Sequence, residues 1–133
     1  MKELINKKIN RIFMNENNLK FETDGGVLIY TVYGDCCSYS YFHDFIGVKN
    51  LLKGGKVKNV EEIEVGDDGK RKGGEDQLSF YGYRITVDDP KLGELSSVVS
   101  FRNDSNGYYG GSLNDVSEID NEVSPEIFDD NWI

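Results

Sequence analysis

From Leu19 onward the chain alternates, with Leu19, Phe21 and Thr23 against Lys20, Glu22 and Asp24. A period of two marks a half-buried strand, because successive side chains point to opposite faces. An earlier strand is predicted from about Lys8 to Met14, closed by a turn at Asn17-Asn18. Asp24-Gly25-Gly26 predicts a hairpin, since glycine reaches positive φ without a Cβ clash. From Val27 to Tyr33 both faces are apolar, with Val27, Ile29, Thr31 and Tyr33 opposite Leu28, Tyr30 and Val32. That pattern places the third strand inside a sheet rather than at its edge.

The period then changes. Tyr41, Phe45, Val48 and Leu52 lie at helical spacing, flanked by Phe42 and Ile46. Ser38 suits a helix cap, and Gly54-Gly55 suits a helix end. A helix is therefore predicted from Ser38 to Lys53. Further strands are predicted over Val57–Val65, Leu78–Val87 and Leu95–Arg102, with a polar, glycine-rich loop from Gly66 to Asp76. Asp88-Asp89-Pro90 reads as a turn, and Asn106-Gly107 as a second hairpin leading into Tyr108 and Tyr109. The predicted fold class is α+β: a mostly antiparallel, twisted sheet of about six or seven strands with one main helix packed on one face.

Composition adds scale. At 133 residues, 12% aromatic and 29% charged, the chain has globular character and is expected to form one domain over 1–133. Met1 is followed by polar and basic residues rather than the apolar core of a signal peptide, and apolar runs are short, so a cytoplasmic location in the host cell and no membrane span are expected.

The net charge is −9, and residues 103–133 hold eight of the 24 acids and none of the 15 bases. The acidity thus belongs to a C-terminal stretch, about 114–133. This balance opposes direct binding to nucleic-acid phosphates. In that stretch Phe128, Trp132 and Ile133 are expected to dock on the domain and hold the acids outward.

Four groups of residues carry candidate chemistry. Asp35, Cys36, Cys37 and His43 combine thiols with the only histidine. A thiol at a helix start would ionise more readily, and a Cys-His pair makes a nucleophile. Yet no third orienting group is evident, and adjacent cysteines neither staple a fold nor match zinc spacing. Reduced, packed thiols explain them more simply, and no metal or cofactor is predicted. Asp104-Ser105-Asn106-Gly107 opens like a calcium loop but lacks the distal acidic ligand. Arg102, Asn103 and Asp104 with Tyr108 and Tyr109 suit a polar recognition surface, because tyrosine joins rigid area to a hydrogen-bonding tip. Asp115, Glu118, Asp120 and Glu122 suit contact with a basic partner surface.

The run Gly34-Asp35-Cys36-Cys37-Ser38-Tyr39-Ser40-Tyr41-Phe42, continued by Asp44-Phe45-Ile46-Gly47-Val48, resembles a small uncharacterised domain family of bacteriophages and prophages. So does Phe101-Arg102-Asn103-Asp104-Ser105-Asn106-Gly107-Tyr108-Tyr109-Gly110-Gly111. The resemblance runs from about Leu19 to Leu113. It implies a mobile-element origin and carries no catalytic residue with it. The leading expectation is a small acidic binding module that modulates or inhibits a host protein, with a CRISPR-type defence nuclease as a target. A small-ligand-binding domain using the tyrosine-rich sheet is the alternative, and a cysteine-dependent enzyme the third.

Overall fold

In the computed structural model, residues 1–34, 39–63, 77–105, 111–116 and 124–132 are described, with side chains over 1–32, 40–63, 81–103 and 124–131. A 3₁₀ turn, Lys2–Leu4, precedes strands β1 (Ile9–Met14), β2 (Asn18–Thr23), β3 (Gly26–Gly34) and β4 (Tyr39–Ile46). The helix α1 (Val48–Lys53) is followed by β5 (Val57–Ile63), β6 (Gln77–Asp89), β7 (Gly93–Ser105), β8 (Gly111–Val116), β9 (Glu126–Ile127) and β10 (Asn131–Trp132). They form two five-stranded sheets, ordered β8-β3-β2-β1-β9 and β10-β4-β7-β6-β5. Every named pairing is antiparallel. Each sheet has four full strands and a two-residue strand at one edge.

This overturns the expected single sheet with a helix from Ser38 to Lys53. Ser38 lies outside the described residues, Tyr39–Ile46 is strand, and only Val48–Lys53 is helical. The cause is a β-bulge. Phe42 pairs with Phe101 and Asp44 with Ser100, leaving His43 as the extra residue. Under strict alternation Phe42 and Phe45 would face opposite sides. One inserted residue returns both to the core. An apolar spacing of three therefore arises within a strand and imitates a helical turn. Gly47 ends β4 at φ 81°, a left-handed conformation that disfavours any side chain.

The first three strands form where the sequence places them, the second on the face its alternation predicts. Leu19 and Phe21 are buried while Lys20 and Glu22 are partly exposed. Asn15 Oδ1 closes the β1–β2 turn by accepting from the Asn17 and Asn18 N–H groups at 2.8 and 2.7 Å. Gly26 sits at φ 118° in the β2–β3 turn, where only glycine is unstrained. In the long β6–β7 hairpin, Asp89 Oδ1 accepts from the Lys91 and Leu92 N–H groups at 2.8 and 2.9 Å. Asn106 and Gly107, where a hairpin is expected, lie outside the described residues; of the strands on either side, β7 lies in the second sheet and β8 pairs with β3 in the first.

Both sheets contribute to one hydrophobic cluster. Phe21 meets Phe45 edge-on across the two sheets, with ring centroids 6.2 Å apart. Phe42 packs on Phe101 at 6.3 Å, and Tyr81 stacks on Phe101 at 4.8 Å. The helix buries Val48 and Leu51 against this cluster. Lys8 Nζ ties it down by donating to the carbonyls of Ile9, Leu51 and Leu52.

The C-terminal segment docks, though not as expected. Ile127 is buried and Phe128 is 64% exposed. Trp132 pairs through its backbone with Asp44, and Ile133 lies outside the described residues. Antiparallel pairing of Ile12 with Ile127 sets which residue turns inward. Burying Ile127 contributes roughly 1.5–3 kcal/mol if complete.

Two outcomes follow. Phe45→Ala should lose about 3–5 kcal/mol in urea unfolding, because it empties the contact between the sheets. Phe128→Ala should stay within about 0.5 kcal/mol.

A further outcome concerns acid. The Tyr30 hydroxyl donates to Glu3 Oε1 at 2.8 Å and is the main cause holding that carboxyl below its ordinary value. A lowered folded-state value means the contribution is present above the ordinary carboxylate range and lost as pH falls through the lowered value. Tyr30→Phe should cost about 0.5–1 kcal/mol at neutral pH, with the difference from wild type shrinking in acid. Urea midpoints measured across that range check it.

Candidate functional site

Two places stand out for polar chemistry, one inside the second sheet and one on its surface. The inner one lies along the β4–β7 pairing. Strand β4 supplies Ser40, His43 and Asp44, and β7 supplies Ser97, Ser100, Arg102 and Asn103, all buried. The Ser100 hydroxyl donates to Asp44 Oδ1, and the Ser97 hydroxyl to the Gly47 carbonyl. Asn103 Nδ2 donates to Ser40 Oγ at 2.8 Å. Ser40 and Asn103 are cross-strand partners, as are Tyr41 and Arg102. Alternation therefore puts Ser40 and Asn103 on the face of Phe42 and Phe101, and Tyr41 and Arg102 on the other.

A histidine, an aspartate and a serine this close invite comparison with a nucleophilic triad. The bonding differs. In a triad the imidazole stands between hydroxyl and carboxylate and takes the hydroxyl proton. Here Ser100 gives its hydrogen directly to Asp44, and Ser100 is 0% exposed, so no substrate carbonyl can approach it in the folded chain. Buried polar groups joined in this way discriminate between registers, because a slipped strand would leave them unsatisfied. The row fixes β4 on β7.

Of the residues singled out in the sequence, Arg102 and Asn103 are 2% and 0% exposed and belong to this interior row rather than to a recognition surface. Asp104 pairs with Tyr39 and Leu78, and Asp115 with Tyr30, through their backbones. Tyr108, Tyr109, Glu118, Asp120 and Glu122 lie outside the described residues, as do Asp35, Cys36 and Cys37. His43 occupies the β4 bulge, not a helix surface, and among the described residues α1 begins only at Val48. Among the described residues, no three His, Cys, Asp or Glu side chains converge to hold a metal ion.

The outer place is a shallow open groove of about 750 Å³ across β5, β6 and β7. Its walls include Lys58, Glu61, Arg84, Thr86, Glu94 and Ser96. Register explains their meeting: Glu61 is opposite Arg84, and Thr86 opposite Ser96. Arg84 Nη1 bonds Glu61 Oε1 at 2.9 Å, and Lys58 pairs with Glu94. The Glu94 carboxylate raises the Lys58 ammonium above its ordinary value, first by hydrogen bonding and then by charge. All four side chains are about half exposed, so their remaining hydrogen-bonding capacity faces solvent. The sequence reading missed this patch. Its signal was the run of charges between the apolar positions of β5, which becomes legible only once β5 is paired with β6.

Ser100→Ala should leave the buried Asp44 carboxylate without its hydroxyl donor and cost about 1–3 kcal/mol in denaturant unfolding. Ser96→Ala, on the outer groove, should stay within about 0.5 kcal/mol.

No curated protein and no solved structure matches the chain. Among the described residues, no helix is long and apolar enough to cross a membrane. One family model does match, spanning residues 2–114 and reaching from the 3₁₀ turn into β8. The chain belongs to the family described as a domain of unknown function, DUF7448.

Proposed function

We propose that this protein is a non-enzymatic binding module that engages and modulates a protein of the host bacterial cell. The observation that carries this reading is the groove on β5, β6 and β7. Small-molecule sites are mostly enclosed and apolar with a few convergent polar groups. This groove is open, and Lys58 with Glu94 and Glu61 with Arg84 set both signs of charge side by side on it. Such a mixed surface complements another protein surface of mixed charge, and it selects partners by penalising mismatched charges.

The phage resemblance of the segments Gly34–Phe42, Asp44–Val48 and Phe101–Gly111 supports a host target, with a CRISPR-type defence nuclease as its class. On this reading the protein acts in the host cytoplasm. Asp115, Glu118, Asp120 and Glu122 add negative charge toward a basic target surface. The other acids of the C-terminal stretch with described side chains have internal partners: Glu126 with Arg11, Asp129 with Lys49, and Asp130 with the Gly47 N–H. Mimicry of a nucleic-acid strand by the whole stretch is weakened accordingly.

The exchange Glu61→Arg with Arg84→Glu tests the reading, because it keeps the cross-strand pair and reverses the pattern a partner meets. Tagged wild type should capture a host protein from lysate and slow cleavage by the captured nuclease. The exchanged variant should melt at the same temperature and lose about 10-fold or more in affinity. Equal capture by both chains would exclude the groove. A thermal shift with a metabolite and no protein captured would favour the small-ligand reading instead.

A further inference from the structure

The opposite side of the molecule carries a second binding feature, independent of the groove. Residues 124–132 run from the edge of one sheet to the edge of the other. Ile127 and Glu126 pair with Ile12 and Phe13 of β1, and Asn131 and Trp132 pair with Phe45 and Asp44 of β4. Each pairing is two residues long. The Met14 N–H also donates to the Pro125 carbonyl at 3.0 Å. Between the edges the contacts are polar. Glu126 Oε1 accepts from Arg11 Nε at 2.6 Å, and Asp129 Oδ1 lies 2.8 Å from Lys49 Nζ. Asp130 Oδ1 accepts from the Gly47 N–H at 2.7 Å. Among the described side chains of the segment, Ile127 joins the hydrophobic core and Ser124 is also buried, while Phe128 stays exposed.

Three features make this segment displaceable. Its backbone pairing is minimal, so few hydrogen bonds must break at once. Arg11 and Lys49 are more than half exposed, so salt and solvent compete for their partners. The segment also lies beyond residue 114, where the match to the family's domain ends. Without this segment β1 and β4 would be the outermost strands of their sheets.

We infer that residues 124–132 form a displaceable strap, and that the site beneath it takes an extended acidic peptide from a partner protein in its place. The strap itself is the template for that ligand. The ligand pairs with the β1 edge, lowers one aliphatic side chain where Ile127 sits, and presents a carboxylate immediately before it to Arg11. A second carboxylate two residues after the aliphatic one meets Lys49. Strand addition of this kind draws affinity from the backbone and specificity from the side-chain positions. While the strap is seated, apparent affinity for the peptide falls in proportion to the fraction of molecules with it open.

The test uses the full-length chain. A fluorescently labelled peptide of residues 124–132 is titrated against wild type and against the variant Glu126→Gln, Asp129→Asn, Asp130→Asn. The variant holds its own strap weakly, so the peptide should bind it at least about 10-fold more tightly than wild type. Binding should weaken as salt rises, and a peptide carrying the same three substitutions should bind poorly. Equal affinity for both chains, or binding to neither, overturns the inference. If the variant does not fold, hydrogen exchange of wild type decides. Amides of Ile127, Asn131 and Trp132 exchanging faster than those of Phe21, Phe42 and Val99 as salt rises supports a strap that opens alone. Exchange of strap and core amides together overturns it.

Discussion

The extra residue at His43 decides how β4 sits on β7, and the remainder of the structure depends on that pairing. Because His43 is bulged, Phe42 and Phe45 turn to the same side. Phe42 then packs on Phe101 within its own sheet, while Phe45 reaches Phe21 in the other sheet. An unbulged β4 would send one of the two rings outward, and the first sheet would lose an aromatic contact through which it meets the second. The same shift carries Asp44 opposite Ser100, where hydroxyl and carboxylate join. Packing on one face and hydrogen bonding along the strand therefore select the same register, and each penalises a slip the other would also oppose.

This constraint also explains which parts of the fold were legible in the sequence. Strands β1 to β3 were, because their order is set by local features: alternation at Leu19–Asp24, glycines at the turn, and two apolar faces on Val27–Tyr33. The β6–β7 turn was legible from Asp89 and Pro90 for the same reason. Tyr39–Ile46 was misread because a bulge converts period two into a local spacing of three, and the bulge is set by partner strand β7, where Ser100 lies 56 residues beyond Asp44 in the chain. The pairing of the strands on either side of Asn106-Gly107 was hidden for a different reason. Local turn chemistry cannot say that β7 and β8 pair into different sheets. At the C-terminus the presence of docking apolar residues was readable, but not that Ile127 rather than Phe128 turns inward, since that parity is imposed by β1.

Candidate functional residues were less legible than the strands. Arg102 and Asn103 read as surface because charged and amide side chains are usually exposed. They are buried here beside Tyr41 and Ser40, whose place became known only with β4. Conversely, Lys58, Glu61, Arg84 and Glu94 looked like ordinary solvated charges. Their meaning is collective and comes from cross-strand register, which brings residues from three strands into one patch.

The charge distribution takes on a different sense once the structure is considered. A C-terminal stretch with eight acids and no base suggests a reservoir of negative potential for an outside partner. Glu126, Asp129 and Asp130 instead meet the protein's own Arg11, Lys49 and Gly47. Part of the acidity thus serves to seat the chain's end across two sheet edges. Those edges need covering, because unpaired strand backbone invites association with other chains. A cover held by two-residue ladders and exposed ion pairs meets that need without becoming permanent. Its hold weakens under the same conditions of salt that weaken any charged competitor for the edge, so the balance between strap and competitor is set by the aliphatic contact of Ile127 and by local concentration. The strap is always present at its site, which gives it the advantage over a free peptide of equal fit. A competitor must therefore make more contacts than the strap does along β1, a six-residue strand of which β9 pairs with only Ile12 and Phe13.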